Sequence, residues 1–272
     1  IDSITKGGLG KSELGVVIAP TGAGKSMVLA HLGATAVQDG KIVVHYTLEL
    51  ADKVVGQRYD SSITGLPLSD LRKFKELVYD NISQIKGKLI IKEYPTKSAS
   101  TQTIKNHIER LKKRGINPDM IIIDYADLLK PIKAHKERRM DLENIYEEIR
   151  AIAQEQQCPV WTASQTNRSG LNADVITMEA ISEAFNKCFV ADFICTVSRT
   201  IEDKTSNTGR MFVAKNRNGV DGWVYNCEID WSRVNIRVMQ QSDETVAEIK
   251  EKSLADKKAE LLRKYKNKEG QA

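Results

Sequence analysis

Residues 16–37 read VVIAPTGAGKSMVLAHLGATAV. An unbroken apolar run, VVIA (16–19), passes through a loop with two glycines into a helical pattern, MVLAHLGATAV. APTGAGKS (19–26) in that setting is the arrangement a phosphate-binding loop needs. Gly22 and Gly24 let the backbone curl so that its N–H groups face inward, and the following helix N-terminus adds positive potential. Lys25 can then reach the β and γ phosphates of a nucleotide, while the Ser26 hydroxyl would ligate Mg²⁺. The strict pattern has Gly at its first position; this chain has Ala19. A Gly-rich turn with a chance GKS is the bland alternative, and the strand–loop–helix order argues against it.

Further out, the same punctuation repeats. Short apolar runs IVVHYT (42–47), LII (89–91), MIII (120–123), VWTA (160–163) and FICTV (193–197) alternate with amphipathic stretches. Ile104, Ile108 and Leu111 recur at helical spacing and stop at Gly115; Leu142, Ile145, Ile149 and Ile152 mark a longer helix. Unbroken apolar strands separated by helices predict an α/β fold with a mostly parallel sheet buried on both faces. After residue 193 the runs FICTV, RMFVA, WVYNCEI and VNIRV crowd together with turns between, which predicts antiparallel hairpins on one edge. We expect this domain to span 1–241. Residues 242–272 form a charge-dense, helix-prone tail with Val246, Ile249, Leu254, Leu261 and Leu262 as a weak apolar stripe. It reads as a solvated helix, with docking on a partner as the alternative.

Composition narrows the class. The chain has 272 residues, 41% of them hydrophobic, enough for a real core, and no run approaches 18 apolar residues. The net charge of +5 permits a nucleic-acid partner without requiring one. Cys158, Cys188, Cys195 and Cys227 include no CxxC pair, so a reducing cytoplasm fits better than a disulfide framework. The opening IDSITKGG, without a Met, reads as an excised fragment with a domain upstream.

A hydrolysing triphosphate site also needs a carboxylate for the metal and a group to activate water. MIIIDYADLL (120–129) ends its strand in Asp124, at the carboxyl edge where such sheets bind ligands; Asp127 is the runner-up. Glu49 lies just past the second strand and is the candidate base. Gln165, after VWTA, is placed to read the γ-phosphate. In VAKNRNGVDG (213–222), Lys215 and Arg217 point to one side of an extended chain with no acidic neighbour in the sequence. Solvated cations at a hairpin tip would be the ordinary explanation of that pair.

Taken in order, TKGG with Leu9 (5–9), APTGAGKS, TLEL followed by Arg58, IIIDYADLL, ASQTNRS and AKNRNG resemble the RecA-like ATPase domain of the DnaB family of hexameric replicative helicases, tailed-phage versions above all. The matching segments span roughly residues 2–238. The resemblance implies that Ala19, Thr21, Gly22, Ala23, Gly24, Lys25, Ser26, Met27 and Arg58 surround ATP. Mg²⁺ would be held by Ser26 and Asp124. It further implies that Glu49 polarises water and that Gln165 couples nucleotide state to the DNA-binding loops. Lys215 and Arg217 would reach the γ-phosphate of the adjacent subunit. Implied partners are single-stranded DNA, further copies in a homohexamer, and a primase or loader, in a host cytoplasm and with no membrane.

For DNA, the basic segment KPIKAHKERR (130–139) offers Lys130, Lys133, Lys136, Arg138 and Arg139 where the family places its first central loop. The second loop corresponds to ISEAFNKCFVAD (181–192). Where bacterial relatives show Arg-Glu-Ser-Gly, this chain has Ser182-Glu183-Ala184-Phe185, so only Glu183 matches, with Lys187 and Phe185 as substitutes. Three rivals remain open on the residues alone: a RecA, KaiC or RadA-like ATPase of recombination or regulation, a small-molecule kinase, and an ATP-binding assembly module.

Overall fold

The computed structural model describes residues 1–166, 175–176, 188–242, 248–249 and 251. Nine strands form a single sheet: β1 (Leu14–Ala19), β2 (Ile42–Thr47), β3 (Lys88–Glu93), β4 (Met120–Asp124), β5 (Val160–Gln165), β6 (Phe193–Ser198), β7 (Thr208–Asn216), β8 (Val224–Asp230) and β9 (Asn235–Gln241). Their order is β3-β2-β4-β5-β1-β6-β7-β8-β9. The first six run parallel and the last three are antiparallel additions at one edge. The described helices are α1 (Asp2–Thr5), α2 (Lys25–Gln38), α3 (Asp52–Thr64), α4 (Lys75–Ser83), α5 (Thr101–Lys112), α6 (Arg138–Gln156) and α7 (Ile201–Ser206).

The alternation of side chains along β1 explains its unbroken apolar sequence. Leu14, Val16 and Ile18 face a core shared with Ile104 and Ile108 of α5 and Ile145, Ile149 and Ile152 of α6. Val17 and Ala19 face the other core, with Val28, Leu29 and Ala30 of α2 and Val55 and Tyr59 of α3. Both faces are covered, so no position on the strand can be polar without a partner. Gly15 serves packing: a Cβ there would stand 2.6 Å from the Trp161 ring on neighbouring β5.

Local signals explain the helix limits. A capping box between Ser100 and Thr103 starts α5, and Gly115, at φ 76°, follows its end. Two sequence expectations change. Arg138 and Arg139 belong to the first turn of α6 instead of the basic loop, which narrows that loop to 130–137. The strand expected as RMFVA extends to Asn216, so Lys215 lies within β7 and Arg217 directly follows it. The short α7, capped by Thr200 and Asp203, has no apolar periodicity and was not anticipated. Of the tail beyond 242, Ile249 is buried against the α5/α6 core. All four cysteines are buried and none is in a disulfide. Among the described residues, no helix is long and apolar enough to cross a membrane.

Candidate nucleotide site

Because β1 is central and parallel to its neighbours, its carboxyl end opens between β5 and β6, where α/β sheets accept ligands. The loop from Pro20 to Gly24 leaves this end, with Gly22 at φ 75° and Gly24 at φ 99°, a region that favours glycine. Gly24 caps α2 without a side-chain hydrogen bond and the first turn carries no acid, so the leading N–H groups of α2 are available to an anion.

Lys25 is buried beneath the loop, where Nζ donates to the carbonyls of Ala19 and Pro20, both at 3.3 Å. Burial lowers its pKa, opposed by the carboxylates of Glu49, Asp124 and Asp127. Ser26 Oγ donates to Asp124 Oδ1 at 3.1 Å. The other oxygen, Asp124 Oδ2, is buried and has no hydrogen-bond partner. Burial pushes the Asp124 carboxyl up to about 6, against the pull of the Ser26 hydrogen bond, Arg58 and Lys25. Arg58, reaching in from α3, has a buried Nη1 without a partner; burial lowers its pKa while Asp124 and Glu49 oppose the shift.

This donor set fits a small hard cation. A hydroxyl and an orphaned carboxylate oxygen stand side by side at the foot of an anion-binding loop. Among the described residues no cluster of three His, Cys, Asp or Glu offers an all-protein cage. Magnesium is held in this sparse way, by one or two side chains plus water and phosphate.

Glu49 lies just beyond β2 and is exposed; Leu48 N–H donates to the Asp124 carbonyl at 2.9 Å, which ties the TLEL segment to the end of β4. Gln165, at the end of β5, donates through Nε2 to Thr21 Oγ1 of the loop. Asp127 is held by partners of its own. It accepts hydrogen bonds from Tyr146 Oη at 2.9 Å, Ser164 Oγ at 3.4 Å and Gln165 N–H at 3.5 Å. The structure therefore separates the two carboxylates of the IIIDYADLL segment: Asp124 faces Ser26, and Asp127 braces the base of Gln165.

Two residues escaped the sequence reading. Trp231, in the turn after β8, lies so close to the loop that a Cβ on Gly24 would stand 2.5 Å from its indole. The Arg199 guanidinium sits 5.9 Å from the Trp231 ring centroid. That is a direct cation–π contact, and the guanidinium is further held by the Thr208 and Asp203 carbonyls at 2.9 and 3.1 Å, which leaves the indole as the group beside the loop. A Trp in the tight turn DWSR was the available signal.

Lys215 and Arg217 lie at the other end of the sheet. β7 runs antiparallel to β6, so its carboxyl end meets the start of β1 and β6. Lys215 Nζ donates to the Phe189 carbonyl at 2.5 Å and covers the Phe189 ring at 4.4 Å. Arg217 Nη1 is 3.1 Å from Asp192 Oδ1, so the acid missing beside it in sequence is supplied in space. The length of β1, about 3.3 Å per residue, puts roughly 17 Å between this end and the phosphate loop. Neither cation can reach its own chain's Pro20–Gly24 loop.

In the basic segment, Lys130, Lys133, Lys136 and Arg138 are exposed and form no ion pair with a described residue, whereas Arg139 pairs with Glu143 at 2.9 Å. Glu183, Lys187 and Phe185 lie outside the described residues, as do Asn167 and Arg168 of SQTNR.

The sheet order and this loop together define a RecA-like P-loop fold. The chain belongs to the DnaB-like helicase C-terminal domain family, whose pattern matches residues 1–238. It is 31% identical over 215 residues to the DnaB-like replicative helicase of Enterobacteria phage T4, covering 74% of this chain and 45% of that one. It is 26% identical over 183 residues to the replicative DNA helicase DnaB of Helicobacter pylori strain 26695, covering 64% of this chain and 36% of the relative. The chain thus spans less than half the length of these relatives. The ATPase domain of G40P superposes with a TM-score of 0.74 at 19% identity over 88% of both chains. A DnaB-like replicative helicase, studied with its interactions with primase, gives 0.74 at 17% identity over 88% of this chain and 60% of that one. Family and fold class agree with the sequence expectations.

Proposed function

We propose that this chain is the ATP-hydrolysing motor of a replicative DNA helicase, built as a homohexamer whose nucleotide sites lie between adjacent copies. One observation carries this reading: the phosphate loop and the Lys215/Arg217 pair occupy opposite ends of one sheet. A head-to-tail arrangement of copies brings one chain's cations to the next chain's loop, and a closed ring is its natural completion.

The geometry supports a division of labour among these residues. The α2 N-terminus and Lys25 hold the phosphates, and Trp231, packed beside Gly24, offers its indole to the base. Ser26 and Asp124 would hold magnesium, which when bound neutralises phosphate charge. Glu49 orients the attacking water and accepts its proton. Arg217 and Lys215 from the neighbouring copy stabilise charge on the transferred phosphoryl group. Gln165, bonded to Thr21 and braced by Asp127, senses the occupied loop and passes that state toward the DNA-facing segments. Lys130, Lys133 and Lys136 contact the strand backbone, with the second loop around Glu183 and Lys187 completing the contact. A host cytoplasm and a primase partner are consistent with this role.

The test is ATP turnover with and without a single-stranded oligonucleotide, coupled to strand separation of a forked duplex. Stimulated turnover with separation supports the helicase reading. Turnover indifferent to DNA, with no separation, would favour a RecA-like ATPase of a regulatory kind.

A further inference from the structure

We propose that Asp192 is the positioning residue for the Arg217 finger, an inference that rests on reading Arg217 as acting on the neighbouring copy's nucleotide. Asp192 immediately precedes β6 and is 4% exposed. Its carboxylate is fully engaged. Oδ2 accepts from Leu14 N–H at 3.0 Å and from Arg150 Nε at 3.3 Å; Oδ1 accepts from Arg150 Nη2 at 3.0 Å and pairs with Arg217 Nη1 at 3.1 Å. Its backbone adds two more bonds: Asp192 N–H donates to the Leu14 carbonyl at 2.8 Å, and Arg217 N–H donates to the Asp192 carbonyl at 3.0 Å.

Arg217 is thus held twice, once at its backbone and once at its guanidinium, by a residue welded to the first position of β1. The hold is one-sided: the Arg217 side chain is 47% exposed and pairs through Nη1, leaving its remaining donors for an external phosphate. Three cations, Arg150, Lys215 and Arg217, gather around this single carboxylate. Their mutual repulsion shows at Lys215, whose pKa is lowered by burial and then by Arg217 and Arg150, with Asp192 opposing. Take away the carboxylate and the Arg150 and Arg217 guanidinium groups are left as like charges without the acid that joins them. A charge-assisted clamp that leaves the fork half free is what a group needs if it must meet a phosphoryl group held by another molecule. A finger displaced by about an ångström loses on the order of 10²-fold in rate.

The experiment measures kcat and KM for ATP in wild type, Asp192→Asn, Arg217→Ala and the double variant, with thermal melting of each. The expected result is a kcat loss of roughly 10- to 100-fold in Asp192→Asn, with KM within about twofold, and no further loss when Asp192→Asn is added to Arg217→Ala. If Asp192→Asn does not fold, Asp192→Glu, which keeps the charge but shifts it by one methylene, gives the same test of non-additivity. An Asp192 variant with wild-type turnover, beside an inactive Arg217→Ala, would overturn the positioning role and leave the finger reading intact. Equal losses in both backgrounds would also overturn it, by showing that Asp192 merely staples β1, β6 and α6. Wild-type turnover in Arg217→Ala would overturn the finger reading itself.

Discussion

Ser26 Oγ donates to Asp124 Oδ1 at 3.1 Å, and the second oxygen of that carboxylate is buried without a partner. A buried carboxylate with one oxygen unpartnered destabilises the fold, and the pH dependence has a definite sign. Burial raises the Asp124 carboxyl from 3.8 to about 6, so the folded chain binds the proton more tightly than the unfolded chain between those values. Its contribution to stability therefore falls as pH rises from about 4 to about 6, and the cost is fully present at neutral pH. Asp124→Asn should be more stable than wild type at pH 7.5 without Mg²⁺, on the order of 2–3 kcal/mol, and no more stable at pH 4. Denaturant melts at the two pH values read this directly. Magnesium with nucleotide should raise the melting temperature of wild type and not of the variant.

Lys25 and Glu49 separate binding from chemistry. Lys25→Ala should lose both turnover and the thermal shift caused by nucleotide, because its ammonium belongs to the phosphate seat. Glu49→Gln should keep the thermal shift and lose roughly 10²–10⁴-fold in turnover, the scale of a general base. Calorimetry of nucleotide binding beside a steady-state assay distinguishes the two patterns.

Trp231 gives the base seat a signal of its own. Trp231→Ala should raise KM for ATP about tenfold or more, since base stacking contributes about 1–3 kcal/mol, with a smaller effect on kcat. Nucleotide should quench indole fluorescence in wild type and less in the variant. Unaltered KM would remove Trp231 from the base seat.

The basic loop predicts a salt effect. Replacing Lys130, Lys133 and Lys136 by Ala should weaken single-strand binding and flatten the dependence of log K on log salt by about 2, from roughly 0.7 per lost phosphate contact. An unchanged slope would place the strand elsewhere.

What the sequence made legible was local or repeated. The VVIAPTGAGKS segment is readable because strand, loop and helix are consecutive and each has its own pattern, and Asp124 is readable because it closes an apolar run. The edge hairpins announce themselves by crowding. What stayed hidden joins distant positions. Asp192 meets Arg217 only because β7 folds back along β6, and Trp231 meets Gly24 because the β8–β9 turn returns to the loop. Asp127 has the sequence position of a second metal candidate, and its bonds to Tyr146 and Ser164 come from residues distant in the chain. Arg138 and Arg139 looked like loop cations because a helix that begins on two arginines offers no favourable dipole signal.

In the proposed ring each nucleotide site is completed by a second copy. The most direct test of that completion is ATP turnover per subunit measured across a wide range of protein concentration. The rate should climb steeply as copies associate and then level off, with Arg217→Ala showing no climb. A rate per subunit independent of concentration, and equal in Arg217→Ala, would show that each chain hydrolyses ATP alone.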